Sequence, residues 1–404
     1  MPEAVIVSAL RSPIGRARKG TLRDMRADDM AAQMVRATLD KVPELDPSDV
    51  DDLILGCGVP EAESGQNLGR LVAVRAGLDS IPGTTVNRFC SSSLQTTRMA
   101  MHAIRAGEGD VFISAGVEAT SRLGRGRSEE DTRNPYFEHA WEHSARRAAG
   151  GADVWQDPRR NGAVPDIYIA MGQTAENVAQ LRGISREVQD AYAVRSQHRA
   201  ADAAASGFWE REIAPLTLPD GSVVSTDDSP RADTSLEAVA QLDPVFRPDG
   251  TVTAANACPL NDGAAALVVM SDTRAKELGL TPLARIISTG LSALSPEIMG
   301  LGPVEASRQA LERAGMTMGD VDLVELNEAF AAQVIPSAED LGIPEDKLNV
   351  NGGAIALGHP WGMTGARITA TLLNSLQDRD QQIGLETMCV GGGQGMAMVV
   401  ERLS

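Results

Sequence analysis

Asp49-Val50-Asp51-Asp52-Leu53-Ile54-Leu55, early in the chain, has a counterpart near its other end in Asp320-Val321-Asp322-Leu323-Val324-Glu325-Leu326. Both begin with Asp-Val-Asp and run into a short apolar stretch, which reads as a loop leading into a buried strand. A helical pattern precedes each. Apolar residues recur at helical spacing from about Ala27 to Lys41, and a second helix is predicted from about Pro303 to Ala314. A further echo joins Val86-Asn87 and Val350-Asn351, each read as closing a short strand before a loop and a helix. The same order of elements occurring twice predicts two halves of similar α/β fold, each alternating strands and helices.

Outward from these echoes, Ala4 to Ala9 reads as an opening buried strand. Between the halves lies different material, about residues 122–250, rich in Arg, Asp, Glu, Gly and Pro. Arg122-Leu-Gly-Arg-Gly-Arg127 and Asp227-Asp-Ser-Pro-Arg231 are typical of it. One amphipathic helical stretch is predicted inside it, roughly Ser185 to Ser206, opened by Arg186 and ended by Gly207. A long insertion of this kind is expected to fold over the core, where such segments commonly cover active sites.

Bulk properties exclude some functions. The chain has 404 residues, enough for two or three domains, and a formal charge of −18, which leaves no basic footprint for nucleic acid. An anionic substrate would need a local patch of Arg or Lys. Aromatic residues make up only 3%, so the core must be built from Ala, Val, Leu, Ile and Met. No apolar run approaches the roughly 18–20 residues that cross a bilayer. Met1-Pro-Glu-Ala-Val-Ile-Val7 lacks a basic leader region, so no signal peptide is expected and the cytoplasm is the expected compartment. The cysteines Cys57, Cys90, Cys258 and Cys389 form no C-x-x-C pair. That argues against a zinc knuckle or redox dithiol, and their scatter fits a reducing compartment.

Chemistry concentrates in four places. Thr84-Thr-Val-Asn-Arg-Phe-Cys-Ser-Ser-Ser-Leu-Gln95 reads as a strand, a turn and a helix from Leu94 to Arg105, with Cys90 on the turn. Backbone N–H groups and the helix dipole there should favour a thiolate and depress its pKa. A buried structural cysteine is the alternative. Of the histidines His102, His139, His143, His198 and His359, four lie on helical or polar stretches. His359 alone sits between Gly358 and Pro360, a rigid setting suited to a base. It could equally be a structural histidine at a turn. Cys389 opens Cys-Val-Gly-Gly-Gly-Gln-Gly395, whose glycines could bring backbone N–H groups to a reacting oxygen. A strand, Met396 to Val400, follows rather than the long helix of a dinucleotide site. Asn327, in Asn327-Glu-Ala-Phe330, follows the second Asp-Val-Asp strand, at the kind of strand end where ligands meet α/β sheets. It could hold a water or a carbonyl, or be an N-cap.

Together these segments resemble one family, the thiolases, over nearly the whole chain. The resemblance rests on Asn87-Arg-Phe-Cys-Ser-Ser-Ser-Leu-Gln95, Asn327-Glu-Ala-Phe330, Gly352-Gly-Ala-Ile-Ala-Leu-Gly-His-Pro360 and Cys389-Val-Gly-Gly-Gly-Gln-Gly395. It implies the thiolase fold, two βαβαβαββ halves in a five-layered α-β-α-β-α arrangement with an inserted loop domain. The implied boundaries are 1–121 plus 251–279 for the half bearing the nucleophile, 122–250 for a loop domain that binds coenzyme A, and 280–404 for the half bearing His359 and Cys389. The implied reaction is reversible acyl transfer to coenzyme A. Cys90 takes the acyl group, while His359 activates it and helps bind the thioester oxygen. Asn327 holds a water in that site, and Cys389 moves the α-proton. The N–H groups of Cys90 and Gly391 form the second oxyanion hole. Coenzyme A and acyl-CoA are substrates, no metal or redox cofactor is required, and a homodimer through the N-terminal half, or a homotetramer, is expected.

Met171, in Ala170-Met-Gly-Gln-Thr-Ala-Glu176, resembles the family segment lining the acyl pocket. Thr253-Ala-Ala-Asn-Ala-Cys-Pro-Leu-Asn-Asp262 resembles the segment touching pantetheine. Cys258 stands where Ser is typical and Pro259 where Gly is common, which weakens the expected contact from Cys258 because a thiol is a poorer hydrogen-bonding group than a hydroxyl. Ala170 replaces a His often seen in acetoacetyl-specific members. That replacement and the form of the Cys90 motif point to degradative 3-ketoacyl-CoA thiolases rather than biosynthetic acetyl-CoA acetyltransferases. Two other readings are an acyl-carrier-protein condensing enzyme, which would generally lack the second cysteine and the loop domain, and a non-catalytic thiolase-like subunit, which would have lost catalytic residues.

Overall fold

The computed structural model describes residues 2–124 and 132–404. Met1, and Arg125 and Arg127 of the arginine-rich run, lie outside the described residues.

The first half contributes β1 (Ala4–Arg11), β2 (Asp52–Cys57), β3 (Gly83–Val86), β4 (Val111–Ala119) and, after the insertion, β5 (Asn261–Ser271). They lie side by side in the order β3-β2-β4-β5-β1. β2 is parallel to both β3 and β4, and β5 runs antiparallel to β4 and β1. The second half contributes β6 (Ala284–Ala293), β7 (Leu323–Leu326), β8 (Ile383–Val390) and β9 (Gln394–Arg402) in the order β7-β8-β9-β6. β7 and β8 are parallel, and β9 is antiparallel to β8 and β6. The two halves repeat one topology. They meet where β1 pairs with β6 at Val5↔Arg285 and Ile6↔Ala284.

The repeat departs from expectation at one edge. The strand expected to end at Val350-Asn351 is reduced to a bridge between Val324 and Leu348. Asn349 turns the chain at once with φ of 45°. Its side chain pairs with both the N–H and the carbonyl of Leu326, at 2.8 and 2.9 Å. Arg199, from the insertion, takes the carbonyls of Leu348 and Asn349. Side chains therefore satisfy backbone groups that a longer strand would have paired.

Strand alternation explains the layers. Leu53 and Leu55 point into one core with α1 (Ala27–Leu39) and α2 (Leu68–Arg75), while Ile54 points the other way. In the second half Val324 and Leu326 face α7 (Gly302–Ala314) and α8 (Ala331–Leu341), and Leu323 faces inward. The inward faces share one core, built on α3 (Ser92–Ala106) and α9 (Thr364–Asp378) between the sheet halves. The arrangement is five layers, α-β-α-β-α. The two central helices approach at Gly365, where a Cβ would collide with the backbone N of Leu94. Glycine is thus required there by packing rather than by φ.

The insertion holds more helix than expected: α4 (Glu138–Ala148), α5 (Met171–Arg182) and α6 (Arg186–Ala205). Gly207, with φ of 75°, follows α6 as predicted. However, α6 is not amphipathic. Its polar residues Gln189, Asp190, Ser196 and Gln197 are buried beside Tyr192 and Ala193, because the helix is packed into the molecule and bonds to it through polar groups. Among the described residues no helix is long and apolar enough to cross a membrane.

Candidate active site

The turn before α3 is locally strained and heavily bonded. Phe89 has φ of 43°, a conformation costing a bulky residue about 1–3 kcal/mol. Its N–H donates to Asn87 Oδ1 at 2.8 Å, and its carbonyl accepts from Ser92 Oγ at 2.7 Å. The Arg88 N–H also donates to Ser92 Oγ, at 2.9 Å. These bonds hold Cys90 facing the turn between β8 and β9, whose Gly391 N–H, with the N–H of Cys90 itself, acts to lower the thiol pKa. Nucleophile turn and glycine loop belong to different halves of the chain.

The expected depression of the Cys90 pKa is not found. The side chain is buried, and burial pushes the thiol up to about 11, outweighing the two N–H bonds that act downward. In the free site Cys90 is a neutral thiol and must lose its proton as it reacts.

His359 is 2% exposed, whereas His102, His139, His143 and His198 are all on the surface. Gly358 precedes it with φ of 116°, and the His359 N–H donates to Asn261 Oδ1 at 3.0 Å. Nδ1 lies 2.7 Å from Thr364 Oγ1, and the Thr364 hydroxyl donates to the Pro360 carbonyl at 2.8 Å. With its proton on the Pro360 carbonyl, that hydroxyl accepts from Nδ1, and this network assigns the ring hydrogen to Nδ1 and the lone pair to Nε2. The Asn327 amide reaches Nε2 at 3.3 Å. Burial, followed by the nearby Arg367 cation, lowers the His359 pKa to about 3. The imidazole is therefore a neutral base whose Nε2 faces the Asn327 amide.

Cys389, at the end of β8, is fully buried, and its thiol is held well above the ordinary range by burial and by Cys90 and Cys258. The three thiols are close enough to influence one another electrostatically. The Cys258 N–H donates to the Ala329 carbonyl at 3.0 Å, tying the end of the insertion to the loop after β7. Met171 opens α5 and packs, with Phe246 and Cys258, on an apolar wall containing Met299, Phe330 and Cys389. The structure thus brings Cys90 together with Gly391, Cys258 and Cys389, joins Asn327 to His359, and sets Met171 on the same wall as Cys258 and Cys389. Among the described residues no group of three His, Cys, Asp or Glu could hold a metal ion.

Several supporting residues escaped the sequence reading. Thr364 was overlooked although it lies one helical turn beyond Pro360. Glu328, next to Asn327, accepts bonds from Tyr192, Ser196, Asn349 and the Ile355 N–H at 2.6–3.1 Å, fixing the Asn327 loop to α6 and to the segment before His359. Glu118, at the end of β4, accepts the N–H groups of Gly58, Val59 and Gly362, which joins a loop of each half. Burial raises its pKa to about 7. Nothing local in the sequence marks these carboxylates, because their partners are distant in the chain.

Known proteins resemble this chain over its whole length. Residues 4–273 match the family model of the thiolase N-terminal domain, and residues 280–402 that of the thiolase C-terminal domain. A 3-ketoacyl-CoA thiolase from Marinomonas sp. is 42% identical over 99% of this chain and 98% of its own length. The crystal structure of the Bacillus anthracis acetyl-CoA acetyltransferase superposes with a TM-score of 0.86 at 38% identity, covering 100% of this chain and 99% of that one. That of human mitochondrial 3-ketoacyl-CoA thiolase in complex with CoA gives 0.85 at 35% identity, covering 100% and 98%.

Proposed function

The chain belongs to the thiolase family, and from that premise we propose that it cleaves 3-ketoacyl-CoA with free coenzyme A through an acyl-enzyme on Cys90. As a thiolase it is an acyltransferase. His359 Nε2 takes the thiol proton as the Cys90 sulfur attacks the 3-keto carbon. Collapse of the adduct breaks the Cα–Cβ bond, leaving the acyl group on sulfur and the electron pair on the acetyl-CoA carbanion. Cys389, a neutral thiol, protonates that carbanion. The resulting Cys389 thiolate then accepts the proton of the incoming coenzyme A, whose sulfur takes the acyl group from Cys90, and the released Cys90 thiolate recovers its proton from the His359 imidazolium. His359 and Asn327 serve the thioester oxygen of the leaving acetyl unit, and the N–H groups of Cys90 and Gly391 serve the oxygen of the transferred acyl group.

The observation carrying this reading is that the Cys90 turn meets the glycine loop after Cys389, where Gly391 stands against the ring of Phe89 and its N–H acts to lower the Cys90 pKa. An acyl oxygen bonded through that sulfur would lie within reach of the same donors. Residues 122–250 are assigned the coenzyme A domain, with Met171 lining the acyl pocket and Cys258 beside pantetheine. The flanking assignments are 1–121 plus 251–279, and 280–404. No metal or redox cofactor takes part. A cytoplasmic homodimer or homotetramer is the proposed form, to be measured by light scattering. Condensation of two acetyl-CoA is the second reading, favoured by the likeness to the acetyl-CoA acetyltransferase structure. Intact mass after mixing with acetoacetyl-CoA, without free coenzyme A, should show one acetyl adduct that is lost in Cys90→Ala. An adduct persisting in that variant overturns the reading. Relative rates of thiolysis across chain lengths and of acetyl-CoA condensation separate the two directions.

A further inference from the structure

Arg88 is half-buried, and among the described residues no carboxylate lies within ion-pair distance of it. Burial alone lowers its pKa. Its fork is spent on two amide oxygens instead. Nε donates to Gln95 Oε1 at 3.0 Å on α3, and Nη1 donates to Gln394 Oε1 at 2.7 Å on β9. Gln394 Nε2 in turn donates to the carbonyl of Gly391 at 3.3 Å. Arg88 also belongs to the nucleophile turn by its backbone, since its carbonyl accepts the Ser91 N–H at 3.1 Å.

The bonds form one path from the Cys90 turn, across the seam between the halves, to Gly391, in the loop that faces that turn. That path crosses a run with little rigidity of its own. Gly391, Gly392 and Gly393 carry no side chains, and the latter two have φ of 77°. The loop is also held at Gly393, whose carbonyl accepts the Leu294 N–H at 2.8 Å, and at Gly391 by the neighbouring ring of Phe89. An ion pair would have fixed a distance. The planar fork, gripping two amides, also fixes an orientation.

We propose that Arg88 is a positioning residue for acyl transfer, acting through Gln394 to aim the Gly391 N–H at the atom bonded to Cys90. The proposal rests on the assignment of Cys90 and Gly391 above. The side-chain bonds of Arg88 go to Gln95 and Gln394 rather than to Cys90. It holds the donor still, so the hydrogen bond need not be organised at the moment of reaction.

The test uses Arg88→Met, Arg88→Lys, Gln394→Leu and the double variant Arg88→Met/Gln394→Leu in the full chain. Three quantities are read: single-turnover acylation by acetoacetyl-CoA, the pH profile of Cys90 alkylation by iodoacetamide, and Tm. Arg88→Met should slow acylation about tenfold or more, less than the roughly 100-fold loss of a whole oxyanion donor. KM should change less than about threefold. The alkylation profile should move to higher pH, because the thiolate loses a well-aimed N–H. Arg88→Lys should recover part of the rate, and the double variant should lose no more than the worse single one. An unchanged acylation rate and alkylation profile in folded Arg88→Met overturns the proposal. So does a rate loss that follows Tm alone while the profile stays fixed. If Arg88→Met does not fold, Gln394→Leu carries the same two readouts. Should wild type form no adduct on Cys90, the underlying assignment fails instead, and the two failures stay distinct.

Discussion

Thr364 fixes the tautomer of His359. Its Oγ1 lies 2.7 Å from Nδ1 while its own proton is engaged by the Pro360 carbonyl at 2.8 Å. The base is therefore Nε2, and the hydroxyl's only role toward the ring is to accept. Thr364→Val removes the acceptor and keeps the shape, so kcat should fall about tenfold, the worth of one buried hydrogen bond near 1.4 kcal/mol, with little change in KM. Thr364→Ser should retain most of the rate. Steady-state kinetics of the two variants decide the matter, and equal loss in both would refute the tautomer argument.

The reactivity of Cys90 in the free enzyme should rise steadily with pH. Its thiol is pushed up to about 11 and the His359 pKa lies near 3, so neither group titrates around neutrality. Alkylation by iodoacetamide, followed by mass spectrometry from about pH 6 to pH 10, should show no plateau, because only the thiolate reacts. A plateau near neutral pH would mean a preformed thiolate–imidazolium pair.

Glu118 should make stability fall as pH rises through neutrality. Burial raises its folded pKa from 4.5 to about 7, so the fold binds a proton that the unfolded chain has lost. Its stabilising contribution is complete below about pH 4.5 and is lost as pH climbs through about 7, a swing of order 3 kcal/mol. Glu118→Gln cannot ionise, and calorimetry at about pH 5 and pH 8 should find a smaller Tm difference than in wild type. An undiminished difference would assign the effect to other buried carboxyls, such as Glu325, whose pKa is raised to about 8.

Removing Glu328 should cost both stability and rate. It binds four donors from three segments around Asn327, and Glu328→Ala leaves them unpaired in the interior. A loss of about 3 kcal/mol is expected from urea unfolding. The folded fraction should still show reduced acylation, because Asn327 loses its anchor. Full specific activity in the folded fraction would show that the neighbouring loop holds without it.

Cys258→Ser should lower KM for coenzyme A a fewfold while leaving kcat near wild type. The thiol is neutral and a weak hydrogen-bonding group, and serine supplies a stronger one at the same place. A KM equal to wild type would remove Cys258 from the coenzyme A contacts.

How legible was the site? Cys90, His359, Cys389 and Gly391 each lie in a segment whose glycines, prolines and small residues announce an unusual backbone, and Asn327 stands just past a strand end. The positive φ values at Phe89, Gly358, Gly392 and Gly393 show why those residue types are there. Thr364, Glu118, Glu328 and the Arg88–Gln394 pair were hidden for the opposite reason. What marks them is a partner rather than a residue type: a distant one for Glu118, Glu328 and the Arg88–Gln394 pair, and for Thr364 the ring of His359 one turn back. The missing edge strand at Val350 was misread because Arg199 of the insertion, which covers that edge, gives no local sign of doing so.

By itself the sequence determined the repeated α/β halves, because strand and helix periodicities are local and Asp-Val-Asp strands occur twice. It also determined the family, through motifs that stand in order along the chain. Only the tertiary structure decided the charge states and the aim of the groups. Desolvation turns Cys90 into a neutral thiol where a helix terminus alone predicted a thiolate. The His359 lone pair is set by a hydroxyl one turn away and an amide from the loop after β7. Both depend on what surrounds an atom in three dimensions, and burial is a property of the packed seam rather than of any segment within it.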